Sequence, residues 1–383
     1  MKRKVKIIVS VISDLVTDQR VHKVCRTLHE AGYEVSLIGA SRAKSLPLAP
    51  RSYRARRFSM FFQKKMGFYA EFNVRLFFRL LFMRGDILLG NDLDVMPAVW
   101  LAGRLRGLPV VYDTHEYWMG MPELEGRPRI AAIWRKIERF IFPRLRYIYT
   151  ICESFCTLYF KDYGKTLRSV RNVPYKDHAG MDSPLPSEVE NKLPRGKYFL
   201  LFQGAGINPE RGVEELVQSM RYLDPARYHL VIIGGGDIFH LIEALRVSEG
   251  LEDRITILPK VPFEVLRSIT RRADLGLSMD KPTNINHIYG LPNKIFDYLH
   301  SGVPVLVSRL VELEKIVNAY DVGDFIEHHD PRHIASRIEA VLSDRERMAR
   351  WKANTYKLTE EMNWEREGKV VLEIFEQVVR ENS

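Results

Sequence analysis

Apolar runs of strand length and apolar positions at helical spacing take turns along most of this chain. KVKIIVSVI near the start is a β-branched run, and DQRVHKVCRTLHEAGY follows with Val21, Val24, Cys25 and Leu28 on one helical face. EVSLIG, DILLG, PVVYD and YIYTI repeat the strand pattern, with helical stretches around 95–105, 133–142 and 155–163. Strands joined by helical crossovers predict a parallel sheet covered on both faces, an α/β architecture. From Val173 to Lys197 the pattern lapses into prolines, glycines and charges and reads as a linker. It restarts with YFLLFQGAG, HLVIIGGG, RITIL, ADLGLS and VPVLVS, again separated by helical stretches. The tail NWEREGKVVLEIFEQVV spaces Trp364, Val371, Ile374 and Val378 for burial along one more helix. The expected domains are residues 1–175, completed by helix 363–383, and residues 185–362. These are two doubly wound units with a cleft between them, their ligand sites in the loops after the strands.

Composition narrows the class without naming a chemistry. At 383 residues the chain is long enough for two hydrophobic cores, and 46% apolar with 28% charged residues is a globular balance that excludes disorder, collagen and coiled coil. Cys25, Cys152 and Cys156 have neither zinc nor disulfide spacing, which points to a reducing compartment. The basic and then apolar start leads directly into a helix and reads as a first strand rather than a leader. No apolar stretch reaches membrane-spanning length, so a soluble, cytoplasmic protein is expected. The net charge of +10 calls for an anionic partner: nucleic acid, an anionic membrane surface or a phosphorylated substrate.

The second half carries the sharpest cluster of candidate chemistry. In YGLPNKIFDYLHSG, Gly290 suits a tight backbone turn and Pro292 the first helical position. The N–H groups of Gly290 and Leu291, with the N-terminus of the helix that Pro292 opens and Asn293 follows, can cradle a diphosphate. Asp297, one turn on, can accept hydrogen bonds from ribose hydroxyls. The bland alternative is a tight turn followed by a solvated aspartate. In FQGAGINPERGVEEL, Gly204 begins a small-residue turn, and Arg211 is placed to neutralise a leaving diphosphate or is a surface arginine. IIGGGD, with Gly234 and Gly235, lacks the spacing of a dinucleotide fingerprint and reads as a plain strand-to-helix turn.

In the first half, VVYDTHEYW sets Asp113, His115 and Glu116 just past a buried strand. His115 can meet a substrate hydroxyl or phosphate with Asp113 orienting it, or be a hydrogen-bonded loop histidine. Asp18 and Arg20 follow the first strand on the acceptor side, with helix capping the alternative for Asp18. Asp92 and Asp94 imitate a metal-binding D-x-D, but their strand-to-helix junction favours capping, and no metal site is expected.

Taken in order, DQRVHKVCRTLHEAGYEVSLIG, NDLDVMPAVWLAGRLRGLPVVYDTHE, RSVRNVP, QGAGINPERGVEELVQSM, HLVIIGGGD, GLPNKIFDYLHSGVPVLVS and the closing NWE helix resemble the retaining glycosyltransferases of family 4. That resemblance implies the GT-B fold: two Rossmann-like domains facing a central cleft. Arg211 falls where the family has the basic residue before glycine that binds the donor diphosphate. The family's other basic residue of that loop is Ala205 here, so Arg211 carries more of the charge or another side chain substitutes. Asp297 matches the second carboxylate of the E-x7-E motif, the ribose ligand, whereas the first falls on Tyr289. His115 resembles the first-domain histidine near the transferred sugar. Gly234 to Gly236 resemble the loop beside the nucleotide, and Pro259, Lys260 and Val261 the base-reading backbone.

The resemblance implies transfer of a sugar from a uridine- or guanosine-diphosphate donor to a glycan or lipid-linked acceptor, with retention, no cofactor and no obligatory metal. Surface polysaccharide or glycolipid synthesis is the expected setting. The alternatives are a nucleotide-sugar epimerase or inverting transferase on the same fold, and a basic nucleic-acid-binding protein, against which stands the lack of any recognition motif. Residues 51–84 add a membrane expectation. Nine basic residues, Arg51, Arg54, Arg56, Arg57, Lys64, Lys65, Arg75, Arg79 and Arg84, face the single acid Glu71, with phenylalanines interleaved. The Arg54–Lys65 part reads as a loop in which Phe61 and Phe62 have no core, fit for an anionic lipid surface.

Overall fold

The computed structural model describes residues 3–13, 15–16, 18–43, 45–176 and 184–382. The chain divides into two compact units, residues 1–172 with 365–383, and residues 173–364. Among the described residues, the first unit holds strands Lys6–Ser10 (β1), Glu34–Ser41 (β2), Arg54–Ser59 (β3), Ile87–Asn91 (β4), Val110–Thr114 (β5), Tyr147–Thr150 (β6) and Arg168–Ser169 (β7). They form one parallel sheet in the order β3-β2-β1-β4-β5-β6-β7. The second unit holds Tyr198–Gly204 (β8), Tyr228–Gly234 (β9), Ile255–Pro259 (β10), Leu275–Ser278 (β11), Val305–Ser308 (β12) and Gly323–Ile326 (β13). Its parallel sheet runs β10-β9-β8-β11-β12-β13.

Both orders are those of a Rossmann-like doubly wound sheet, reversing direction between β1 and β4 and between β8 and β11. At such reversals the helices depart to opposite faces and leave a crevice at the carboxyl ends of the strands. The central strands are continuous apolar runs because helices cover both faces: Ile7, Ile8 and Val9 in β1, and Leu200, Leu201 and Phe202 in β8, are buried. Helix Gln19–Glu30 buries Val21, Val24, Cys25 and Leu28, the face its spacing predicts. The tail forms helix Trp364–Glu381, where Phe375 meets Tyr33 edge-on and Glu367 pairs with Arg171 at 3.1 Å, inside the first unit.

The basic stretch differs from expectation at its start. Arg54–Ser59 is a strand, not a loop, paired in parallel with β2 from Ser36↔Arg54 to Ser41↔Ser59. It is the sheet's outer strand, and arginines on an edge discourage pairing with other chains, which is why its sequence does not read as a strand. Helix Lys65–Phe82 turns Phe68, Phe72, Leu76 and Leu80 to the core and leaves Val74, Phe78 and Phe82 exposed. Phe61 is 80% exposed, and Phe61 and Phe62 meet edge-on. Glu71 accepts the backbone N–H groups of both and pairs with Arg75, so the one acid of the stretch is engaged. No helix among the described residues is long and apolar enough to cross a membrane. In the expected linker, helix Ser187–Glu190 precedes β8, and residues 177–183 lie outside the described residues.

Candidate active site

In the second unit, chemistry collects where the sheet reverses. The loop after β8 and the loop after β11 are locked together: Lys281 N–H donates to the Glu210 carbonyl at 2.9 Å. Gly212 has φ 66°, and a Cβ there would stand 2.2 Å from the Met279 carbonyl oxygen, so this position needs glycine. The lock sets the Arg211 guanidinium 3.1 Å from Asp280 Oδ1. Asp280 is almost fully buried, and Lys294 Nζ approaches the same oxygen at 3.7 Å. Burial raises the Asp280 carboxyl, but Lys294 and Arg211 outweigh it and hold the group below its ordinary range.

The small-residue loops are interleaved in the same way. Gly234 pairs in register with Gly204, and a Cβ on Gly234 would lie 1.9 Å from the Gly204 carbonyl oxygen. Ile207 N–H donates to the Gly235 carbonyl at 2.8 Å, and Gly235 lies against the exposed Lys260 side chain, beside half-buried Val261. Sequence expectation and structure part at Gly290 and Pro292. Gly290 is extended, with φ −77°, and its N–H is already donated to the Asn286 carbonyl at 2.8 Å. The cause is a short helix, Ile285–Tyr289, capped by Asn284 and missed in the sequence. Pro292 is accordingly the N-cap rather than the first residue of helix Asn293–His300. Leu291 is buried, so of the expected cradle the start of that helix at Asn293 remains.

Asp297 lies one turn along that helix and lines a pocket with Gln203, Phe263, Leu266, Arg267 and Thr270. Its Oδ2 is 3.4 Å from Gln203 Nε2, and Thr270 donates to Gln203 Oε1 at 2.8 Å. A carboxylate beside an apolar wall and two amide or hydroxyl groups can hold a polyhydroxylated ring. Asp280, Lys294 and Gln203 went unassigned in the sequence, although each stands at a strand's carboxyl end or a helix's first turn.

In the first unit, Arg20 does not face a ligand. It is 4% exposed, holds Asp113 through Nε at 3.0 Å and Nη2 at 2.7 Å, and donates to the Val170 carbonyl at 2.7 Å. Asp18 caps helix Gln19–Glu30, accepting from Val21 N–H at 3.0 Å and from Ser13 Oγ at 2.5 Å. These two acceptor-side expectations therefore give way to structural roles, as the loop after β1 must tie its helix to β5. Glu116 is exposed, with its carbonyl accepting from Thr114 Oγ1.

His115 sits between two carboxylates, Nδ1 3.2 Å from Asp92 and Nε2 3.3 Å from Asp113, the latter without hydrogen-bond alignment. Burial disfavours its charge, but Asp92 and Asp113 more than offset that and keep the imidazolium well above its ordinary range. For Asp113 the opposing cost of burial is outweighed by Arg20 and His115, and its carboxyl is pushed down to about 2. Asp92 caps no helix, contrary to expectation. Left-handed at φ 63°, it accepts His115 N–H at 2.8 Å instead. Asp94 is buried, its carboxyl raised by that burial and by Asp92, and its Oδ1 has no hydrogen-bond partner among the described residues. No cluster that could hold a metal ion occurs among the described residues.

Known proteins resemble this chain in sequence and in fold. Residues 18–172 match the family model for Glycosyltransferase Family 4, and residues 187–358 match that for Glycosyl transferases group 1. The D-inositol 3-phosphate glycosyltransferase of Xylanimonas cellulosilytica is 26% identical over 235 residues, covering 57% of this chain and 54% of that protein. The protein of the same name from Nocardia farcinica is 29% identical over 174 residues, covering 43% and 37%. The chain thus spans about half the length of the first of these curated relatives and little more than a third of the second. Among solved structures, sucrose-phosphate synthase from Thermosynechococcus elongatus shares the fold with a TM-score of 0.80, at 15% identity over 98% of this chain and 100% of that one. HepE of Anabaena, solved in complex with UDP-glucose, has a TM-score of 0.72 at 12% identity, covering 97% and 99%. Both halves meet their family models in the expected order on two Rossmann-like sheets, and the chain belongs to the family 4 glycosyltransferases of GT-B fold.

Proposed function

We propose that this chain moves a hexose-type sugar from a nucleoside diphosphate donor to a glycan or lipid-linked acceptor, with retention of anomeric configuration. The observation that carries the reading is the Arg211–Asp280 pair at the reversal of the second sheet, which Lys294 approaches from the helix that carries Asp297 to its pocket one turn on. Arg211 and the start of helix Asn293–His300 meet the diphosphate, and Asp297 takes the ribose hydroxyls. Gly204, Gly234 and Gly235 let the backbone come close, and Lys260 and Val261 border the base. As the bond from the anomeric carbon to the phosphate oxygen breaks, the acceptor oxygen bonds that carbon from the same face. The acceptor proton passes to the departing phosphate oxygen. Stabilising the charge that grows on the leaving diphosphate is then the main catalytic contribution, and the reaction invokes no obligatory metal. That HepE was solved with UDP-glucose supports a UDP-linked donor.

The setting we infer is surface polysaccharide or glycolipid synthesis, with the protein peripheral on an anionic membrane. Phe61, Phe62, Phe78 and Phe82 are more than half exposed beside Arg56, Lys64, Arg75 and Arg79. Apolar rings with a cationic collar suit the boundary between lipid headgroups and acyl chains.

A panel of UDP- and GDP-sugars in a melting assay tests the donor. The matching compound raises the melting temperature by mass action, and Asp297→Ala weakens that shift. Arg211→Ala lowers turnover more than binding, by roughly a hundredfold if it meets charge that develops in the transition state. A donor altered in the absence of any acceptor indicates an epimerase. Steeply salt-dependent DNA binding without any sugar-nucleotide effect overturns the transferase reading.

A further inference from the structure

We propose that Lys294 is the second cation of the diphosphate site, standing in for the basic side chain that the loop after β8 lacks at Ala205. The inference rests on the donor-site reading above and assigns to it a residue from a different element. Lys294 lies in the first turn of helix Asn293–His300, where the backbone N–H groups already favour an anion. Its Nζ is 3.7 Å from Asp280 Oδ1 and 4.4 Å from the centre of the Phe202 ring, and its side chain is 11% exposed. Arg211 reaches the same Asp280 oxygen from the opposite loop. Two cations therefore converge on one buried carboxylate, and the cluster carries a surplus of one positive charge.

A buried ammonium with only a share of a carboxylate is costly to keep. An anion arriving between Arg211 and Lys294 removes that cost, and a diphosphate has the charge and the two groups of oxygens to meet both. Burial and the neighbouring Arg211 depress the Lys294 ammonium in the free protein despite Asp280, which fits a site waiting for negative charge. Three residues on, Asp297 borders the pocket assigned to the nucleoside, so one helix presents a cation to the phosphates and an acceptor to the ribose.

The test compares binding of UDP and GDP with binding of the corresponding nucleosides, by calorimetry on the full chain. Lys294→Met lowers affinity for the preferred diphosphate by about tenfold or more, the scale of one charge-assisted hydrogen bond, and leaves nucleoside affinity unchanged. Adding Ala205→Arg to Lys294→Met restores diphosphate affinity, which a purely structural role of Lys294 does not explain. If Lys294→Met does not fold, Lys294→Gln is measured in its place, with the same expectation. Wild-type protein that binds a diphosphate while both Lys294 variants bind it within about threefold overturns the role of Lys294 and leaves the donor reading standing. Wild-type protein that binds neither diphosphate overturns the donor reading itself.

Discussion

Arg20 shows how position in sequence and position in space diverge for a single side chain. It follows β1 by ten residues and stands in the first turn of the next helix, close to the loop where a ligand is expected, yet it is spent on holding Asp113 and the Val170 carbonyl. Arg20→Met keeps the aliphatic stem and leaves the buried Asp113 carboxylate with only the poorly aligned His115 ring as a charged neighbour. Chemical denaturation should therefore show a loss of about 3–5 kcal/mol, the usual cost of breaking a buried ion pair. A variant of wild-type stability with a weakened acceptor KM would instead return Arg20 to the acceptor site. Arg211 and Asp297 were legible in the sequence because each sits at a fixed offset from a glycine or proline that marks an element boundary. Asp280 and Lys294 were not, because what joins them is a contact between loops that are distant in the chain. Asp92 misled for the same reason: its spacing matches a cap, and only the fold brings His115 onto it.

Among the elements, helix Pro128–Ile141 carries an acid on its buried face. Glu138 is 1% exposed, accepts from Tyr163 Oη at 2.8 Å through one oxygen, and has no partner for the other among the described residues. Burial pushes its carboxyl up to about 7, so between pH 4.5 and 7 the folded protein holds a proton that the unfolded chain releases. Stability then falls as pH rises through that window, by ~3 kcal/mol at most, and stays lowered above it. Glu138→Gln mimics the protonated form. It should raise the melting temperature at pH 8 and flatten the dependence between pH 5 and 7, and an unchanged slope would assign that dependence to other groups. Helices were readable because one-sided burial imposes a period on them, and inner strands because burial on both faces makes them continuous apolar runs. The outer strand β3 was not, since an edge facing water selects charge rather than alternation. Helix Ile285–Tyr289 is too short to show a period at all, and it was this helix that took up the Gly290 N–H.

At the scale of the whole molecule, the repeated strand-helix order made both sheets legible, while the proposed attachment to a membrane depends on which residues of 51–84 remain uncovered. Vesicle sedimentation checks it: binding should appear with anionic but not neutral lipid and weaken as salt rises. Serine at Phe61 and Phe62, or neutralisation of Arg56 and Lys64, should reduce it. Each surface cation is worth on the order of 1 kcal/mol, so the double neutralisation should cost roughly tenfold or more in partitioning. Absence of binding even at low salt would favour a freely diffusing acceptor. The division of the chain has a further effect, on its synthesis. The first unit is interrupted after residue 172 and resumes at residue 365, with the second unit spliced between and its two ends joined by a Trp364–Pro174 backbone hydrogen bond of 2.8 Å. A ribosome adding about 5–20 residues per second needs on the order of ten to forty seconds to cross the intervening stretch. Throughout that time the groove destined for Val371, Ile374, Phe375 and Val378 stands open and apolar, so the half made first is the last to close. Chains truncated at residue 364 and released from the ribosome should carry a complete second unit and a first that still invites chaperones.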